Sequence, residues 1–187
     1  MTKQAPSLGA ERSEGPPEFN DLEAHVPSKP SVRELMQLID NSDEKYFVAE
    51  LETGYVSLSS KRQYFKGYSF FSSKMAVNEL HYMPPDFRTK HLLEMTIVTE
   101  AVQNVVQAKK MNVAYLGNSL PHVHWNIIPR FGNDPMPHDA IWSIDRGLIE
   151  SVTLSDDELL AIKSTLRAEL ERMVGRYGIG ISFECAA

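Results

Sequence analysis

Between Pro121 and Pro129 the sequence reads Pro-His-Val-His-Trp-Asn-Ile-Ile-Pro, and its period of two constrains the fold more than any other stretch. In an extended strand successive side chains point to opposite faces. Val123, Trp125 and Ile127 therefore share one side, and His122, His124 and Asn126 share the other. The first set is core-forming, so this strand must lie against a packed layer. The second set is polar three times in succession, which folding does not ask for. The spacing predicts a strand over 122–128, stopped by Pro129, whose nitrogen cannot donate to a ladder.

The flanking sequence supplies the layers. Ser31-Val-Arg-Glu34 fits a capping box, and Leu35, Leu38 and Ile39 form an apolar stripe, so a short helix should run to about Asp40. Three β-rich pieces follow, 46–51, 55–59 and 67–72, separated by the turn Glu52-Thr-Gly54 and the polar stretch 60–62, as in an antiparallel meander. Pro84-Pro85-Asp86 opens a long helix in which Leu92, Met95, Val98, Ala101, Val102, Val105 and Ala108 recur at helical spacing; its end is expected near Asn112. A strand over 113–116 and a loop over 117–121 lead into the histidine strand. A second capping box, Ser155-Asp-Asp-Glu158, starts a last helix reaching about Gly175. The fold class is α+β, an antiparallel sheet packed by one long helix with further N- and C-terminal helices.

Composition limits the remaining choices. With 187 residues, 42% of them hydrophobic, the chain can build one core. A net charge of −6 with scattered Lys and Arg excludes a nucleic-acid binder that tracks phosphates, so any anionic ligand must be held locally. The single cysteine, Cys185, permits neither an intrachain disulfide nor a thiolate metal cluster, which fits a reducing cytoplasm. No apolar run is long enough to cross a bilayer, so no membrane partner is expected. Residues 1–30 carry five prolines and little aliphatic content and are expected to form a disordered tail before a single domain over 31–187.

Two chemistries suit the polar face. A His-x-His pair can chelate a metal, but it needs a third ligand; Asn126 is a poor one, and His138 or Asp134 would have to fold back. No metal ligand is assigned. Alternatively, a neutral imidazole held in one tautomer can attack phosphorus. The preceding Gly117-Asn118-Ser119 suits that reaction, because glycine permits close approach while amide, hydroxyl and backbone N–H groups cradle phosphate oxygens.

The run from Gly117 to Arg130, Gly-Asn-Ser-Leu-Pro-His-Val-His-Trp-Asn-Ile-Ile-Pro-Arg, resembles the active-site segment of the histidine-triad (HIT) family of nucleotide hydrolases and transferases, especially its diadenosine-polyphosphate-hydrolase-like members. The likeness extends over roughly residues 45–145. It implies that His124 is the nucleophile forming a nucleotidyl-histidine intermediate. It further implies that His122 supports the strand and the ring, that Asn126 takes the third motif position, and that Asn118 and Ser119 bind phosphate beside Gly117. Arg130 has the right parity to join them. Asn126 stands where the family has histidine, or glutamine in its galactose-1-phosphate uridylyltransferase branch. Met75 stands where hydrolase relatives often carry a histidine. The implied ligand is a nucleotide or dinucleoside polyphosphate, and the implied assembly is a homodimer. No cofactor is required, and a divalent cation would enter, if at all, with the nucleotide. A nucleotide-binding protein with little turnover, or a phosphorylase on the same scaffold, stays open.

Other residues carry plainer expectations. His81 and His91 are read as surface residues at a helix start, and Trp125 and Trp142 as core. Lys74 is read as a solvated strand end. Asp156, Asp157 and Glu158 suit the positive end of a helix dipole.

Overall fold

The computed structural model describes residues 30–185, so the expected tail over 1–30 falls, apart from Pro30, outside the described residues. Helix α1 (Val32–Asp40) is closed at its start by the Ser31–Glu34 capping box and ends at Asn41, which adopts a left-handed conformation. Strands β1 (Phe47–Glu50), β2 (Gly54–Leu58) and β3 (Ser69–Ser73) form the meander. Helix α2 (Pro85–Val106) crosses to β4 (Lys110–Tyr115), and β5 (His124–Arg130) returns between β3 and β4. The sheet order is β1-β2-β3-β5-β4, with every named pair antiparallel. A short helix α3 (Arg146–Ile149) and the long α4 (Asp156–Val174) complete the chain. α4 begins with the Ser155–Glu158 capping box, which assigns its acidic first turn to helix capping.

The sheet is covered on both faces. Trp125, Ile127 and Phe71 pack against Ile97, Val98, Ala101 and Val102 of α2 and Leu166 and Leu170 of α4. On the other face Phe65, Tyr68, Phe70 and Ile128 form a second cluster with Ile141, Ile144 and Ile149. The period of two along β5 is thus satisfied by two cores, and the segment after β5 is what roofs the histidine face.

Three boundaries differ from expectation. α2 ends at Val106, because Gln107 turns left-handed at φ 55°, and β4 starts earlier, at Lys110. β5 begins at His124, so His122 precedes the strand. Pro129 does not stop β5: it lies opposite Met111 inside the β4–β5 ladder, and the strand continues to Arg130.

The two sheet edges are treated differently. Glu50 of β1 exchanges backbone hydrogen bonds of 2.8 Å with Ser182, so the C-terminal segment covers that edge. Among the described residues no strand pairs with the outer side of β4. No helix of the described residues is long and apolar enough to cross a membrane.

Candidate functional site

His124 opens β5 opposite Ser72, in the middle of the sheet. Its Nδ1–H donates to the backbone carbonyl of His122 at 2.8 Å. A carbonyl can only accept, so Nδ1 carries the proton and Nε2 keeps its lone pair. Nε2 makes no hydrogen bond within the described chain. Phe70 meets the ring edge-on, with centroids 6.4 Å apart. Burial holds the imidazole pKa below its ordinary 6.5; the His122 carbonyl acts against this and the Arg62 charge adds to it. At neutral pH the ring is therefore an uncharged base with one free nitrogen.

His122 acts from underneath. It is fully buried, and its Nε2–H donates to the carbonyl of Ser73 at 2.8 Å, tying the entry of β5 to the end of β3. Burial lowers its pKa to about 4. It does not line the cavity that His124 lines. The shared face expected from strand alternation fails for His122 because the strand starts two residues later.

Asn126 is held at both ends of its amide. Tyr68 Oη–H donates to Oδ1 at 2.8 Å, and Nδ2 donates to the Ala114 carbonyl across the β4–β5 ladder at 3.3 Å. These partners fix which atom is oxygen, since a carbonyl can face only the NH₂ end. Nδ2 keeps a second hydrogen.

A cavity of about 410 Å³ is lined by His124 and Asn126, with Gly117, Asn118, Ser119 and Arg62 among its polar walls. Gly117 sits at φ 74°, a conformation that glycine adopts without strain, and turns the chain from β4 into this loop. Asn118 and Ser119 are exposed. Leu38, Ile39, Phe70 and Leu116 give the cavity an apolar side. Leu38, part of the predicted apolar stripe of α1, is 43% exposed and faces this cavity, whereas Leu35 of the same stripe is buried.

Two lining residues had no sequence signal. Arg62 lies between β2 and β3, 3.8 Å from Asp40 at the end of α1, with its guanidinium 5.5 Å from the ring centroids of both Tyr68 and Phe70. It is recruited by tertiary contact alone. Trp142, expected in the core, is 54% exposed and lines the cavity from the segment after β5.

Arg130 requires the opposite correction. It has the parity of the histidine face, yet its guanidinium is buried, pairs with Asp134 at 2.6 Å, and donates to Asn112 and to the carbonyls of Asp139 and Met136. It does not line the His124 cavity, and most of its N–H groups are engaged in tying β4 and the segment after β5 to the end of β5. His91 is also corrected. It is fully buried on α2, accepts from Trp125 Nε1–H at 3.1 Å and contacts Thr53 Oγ1 at 3.1 Å. Thr53 in turn donates to Glu94. His81 is exposed as expected. Lys74 pairs with Glu50 at 2.6 Å and is half-buried. Among the described residues no group of three His, Cys, Asp or Glu side chains is placed to hold a metal ion.

Residues 65–133 match the family model described as HIT domain. A histidine triad protein from Bradyrhizobium japonicum is similar in structure at 19% identity, with a TM-score of 0.61 and coverage of 77% of this chain and 99% of that one. A histidine triad protein from Marinobacter aquaeolei VT8 is 22% identical, with a TM-score of 0.56 and coverage of 66% and 87%. Diadenosine triphosphate hydrolase from Plasmodium falciparum, solved with cyclomarin A, is 13% identical, with a TM-score of 0.50 and coverage of 82% and 94%. At these identities the likeness is one of fold. No curated protein sequence matches the chain. Over β3 to β5 the chain matches the HIT domain model, and the histidine motif within that stretch ends in Asn126 instead of a third histidine.

Proposed function

We propose that the protein is a nucleotidyl hydrolase or transferase in which His124 Nε2 attacks the α-phosphorus of a nucleoside polyphosphate. The observation that carries this reading is the 2.8 Å bond from Nδ1–H to the His122 carbonyl, which leaves Nε2 as the ring's free lone pair at a cavity wall. In the first step the Nε2–P bond forms and the bond from phosphorus to the bridging oxygen breaks. The electron pair leaves on the departing phosphate. Positive charge that builds on the ring is held by the same Nδ1–H···O=C bond. In the second step the oxygen of water, or of a phosphate-bearing acceptor, bonds to phosphorus. The N–P pair returns to Nε2, and the proton of the acceptor goes to solvent.

Asn118, Ser119, the Gly117 loop and Arg62 are suited to hold the non-bridging oxygens, and the apolar side at Ile39 and Phe70 suits the nucleoside. Asn126 can donate a hydrogen bond but cannot deliver a proton. The leaving group must therefore depart as a stable anion, which favours polyphosphates. A homodimer would pair through the outer side of β4, where Val113 is exposed.

The test is to trap the intermediate. Wild-type protein quenched during turnover of diadenosine tetraphosphate should carry a covalent, acid-labile nucleotidyl adduct on the peptide containing His124, and His124→Ala should carry none. Equal labelling of both proteins defeats the proposal. Thermal stabilisation by nucleotide without any adduct would support a binding protein instead.

A further inference from the structure

Three apolar side chains crowd the opening to His124 without being covered. Leu38 of α1, Leu116 just after β4 and Trp142 after β5 line the same cavity, and they are 43%, 50% and 54% exposed. They come from three separate segments, so no single element's amphipathic pattern accounts for them. Trp142 is fixed in place by a single turn, Ile141–Ser143, with Ile141 and Ile144 buried in the cluster under the sheet. A rigid apolar rim edged by polar groups marks a docking surface. Its charge is one-sided: among the described residues Arg62 lines the cavity and no carboxylate does. Beyond Trp142 an adjoining cavity adds Arg146, whose surface pair with Glu150 at 3.0 Å exchanges at small cost. An occupant of this rim should therefore join apolar side chains to carboxylates.

The chain carries such a segment next to the rim. Pro30 is buried and leads directly into α1, whose far end supplies Leu38 and Ile39 to the cavity. Before it, between Pro17 and Pro27, runs a proline-free stretch, Glu-Phe-Asn-Asp-Leu-Glu-Ala-His-Val, in which Phe19 is the only Phe, Tyr or Trp ahead of Pro30. Phe19, Leu22 and Val26 stand at i, i+3 and i+7, the spacing of anchors that enter an apolar groove. Glu18, Asp21 and Glu23 supply three carboxylates, and the stretch holds no Lys or Arg. The distance is short. At the helical rise of roughly 1.5 Å per residue, Leu38 lies roughly 12 Å from Pro30. The residues between Leu22 and Pro30 can span roughly 26 Å, so the segment reaches the rim with slack.

We propose that residues 18–26 dock on this rim, with Phe19, Leu22 and Val26 against Leu38, Leu116 and Trp142 and with Asp21 and Glu23 at Arg62. The occupant is a segment of the same chain, and it lies across the opening to His124. Arg62 is held between Asp40 and the rings of Tyr68 and Phe70, so a carboxylate meets a cation that needs no further ordering. A stretch too polar to fold by itself gains order on a ready surface. The tether helps: a segment joined by a short linker acts at an effective concentration on the order of millimolar, so a weak contact stays occupied. The inference does not require His124 to be a nucleophile.

The experiment places a photo-crosslinker in the full chain as Phe19→p-benzoylphenylalanine, irradiates it and maps the adducts by mass spectrometry. Adducts should fall on the peptides that contain Leu38, Leu116 or Trp142, within single chains. Adding Leu22→Ser and Val26→Ser should lower their yield about fivefold, and adding Asp21→Asn and Glu23→Gln instead should also lower it. All these substitutions lie outside the described fold, so they leave its core intact. In parallel, acrylamide should quench the fluorescence of the unlabelled chain less steeply than that of its Leu22→Ser, Val26→Ser variant. Trp125 is buried, so the difference reports on Trp142. Adducts scattered over the surface, adducts joining two copies, a yield that the apolar or the acidic substitutions leave unchanged, or equal quenching in the two proteins overturns the docking. None of these readouts involves turnover, so the outcome stands whether or not a nucleotidyl adduct forms on His124.

Discussion

The Tyr68 hydroxyl donates to Asn126 Oδ1 at 2.8 Å, and this bond between a residue before β3 and the third motif position orients the amide in the site. Both residues are buried. Tyr68→Phe leaves Oδ1 without a partner in a place water reaches poorly, which costs about 1–3 kcal/mol. Urea unfolding should show a lower midpoint with an unchanged slope. In a double-mutant cycle with Asn126→Ala, part of that loss should vanish, giving a coupling energy of about 1 kcal/mol. Strictly additive losses would mean that the bond does not hold the amide.

Which parts of this arrangement could be read in the sequence follows from their range. The capping boxes at Ser31 and Ser155, the meander and the inward set Val123, Trp125 and Ile127 depend on neighbours a few residues away, and they form as their spacing implies. His124, Asn126 and the Gly117 loop share a cavity because strand parity and one turn bring them together. Arg62 and Trp142 could not be read. One is placed by Asp40 on α1 and the other by the Ile141 and Ile144 anchors, contacts that leave no period in the chain. Arg130 shows parity misleading: it selects a face but says nothing of what lies over that face, which here is Asp134 and the carbonyls of Asp139 and Met136. His91 is buried, against expectation, because the face α2 turns inward includes polar Glu94 as well as its apolar stripe.

Arg130 should therefore act on stability before activity. Its side chain and that of Asp134 are 5% and 4% exposed, so Arg130→Met strands a buried carboxylate and should destabilise by about 3–5 kcal/mol. Adding Asp134→Leu removes that charge and should recover part of the loss. Calorimetric melting of the single and double variants measures this. A single variant that melts like the wild type but has a raised KM would instead return Arg130 to phosphate binding.

Acid should weaken the fold through its buried imidazoles, chiefly His91 and His122, with His124 lowered in the same direction. Burial lowers both His91 and His122 to about 4, against an ordinary 6.5. Between those values the unfolded chain binds more protons than the folded one, so stability rises with pH across this window. Their contribution is present above about 6.5, is lost as pH falls toward about 4, and does not change further below. Glu94, raised by burial and joined to His91 through Thr53, acts in the opposite sense at the acid end. Tm measured from pH 7.5 to 4 should fall, and His91→Gln should flatten the decline. An identical slope in the variant would remove His91 from the account.

The strongest chemical consequence concerns Asn126. Its Nδ2 gives one hydrogen to the Ala114 carbonyl and can offer the other to a departing oxygen, but an amide at neutral pH transfers no proton. In the wild type the rate should therefore track the stability of the leaving anion. A series of aryl esters of adenosine monophosphate, graded by phenol acidity, should give a steep decline of rate with increasing phenol pKa. Asn126→His places a titratable ring within reach of the Tyr68 hydroxyl and should restore proton delivery. The gain should be on the order of 100-fold for the least acidic phenols and small for the most acidic, so that the slope becomes shallower. Parallel slopes for the two proteins would show that proton donation at position 126 does not limit the reaction, and the link between this asparagine and a polyphosphate substrate would be lost.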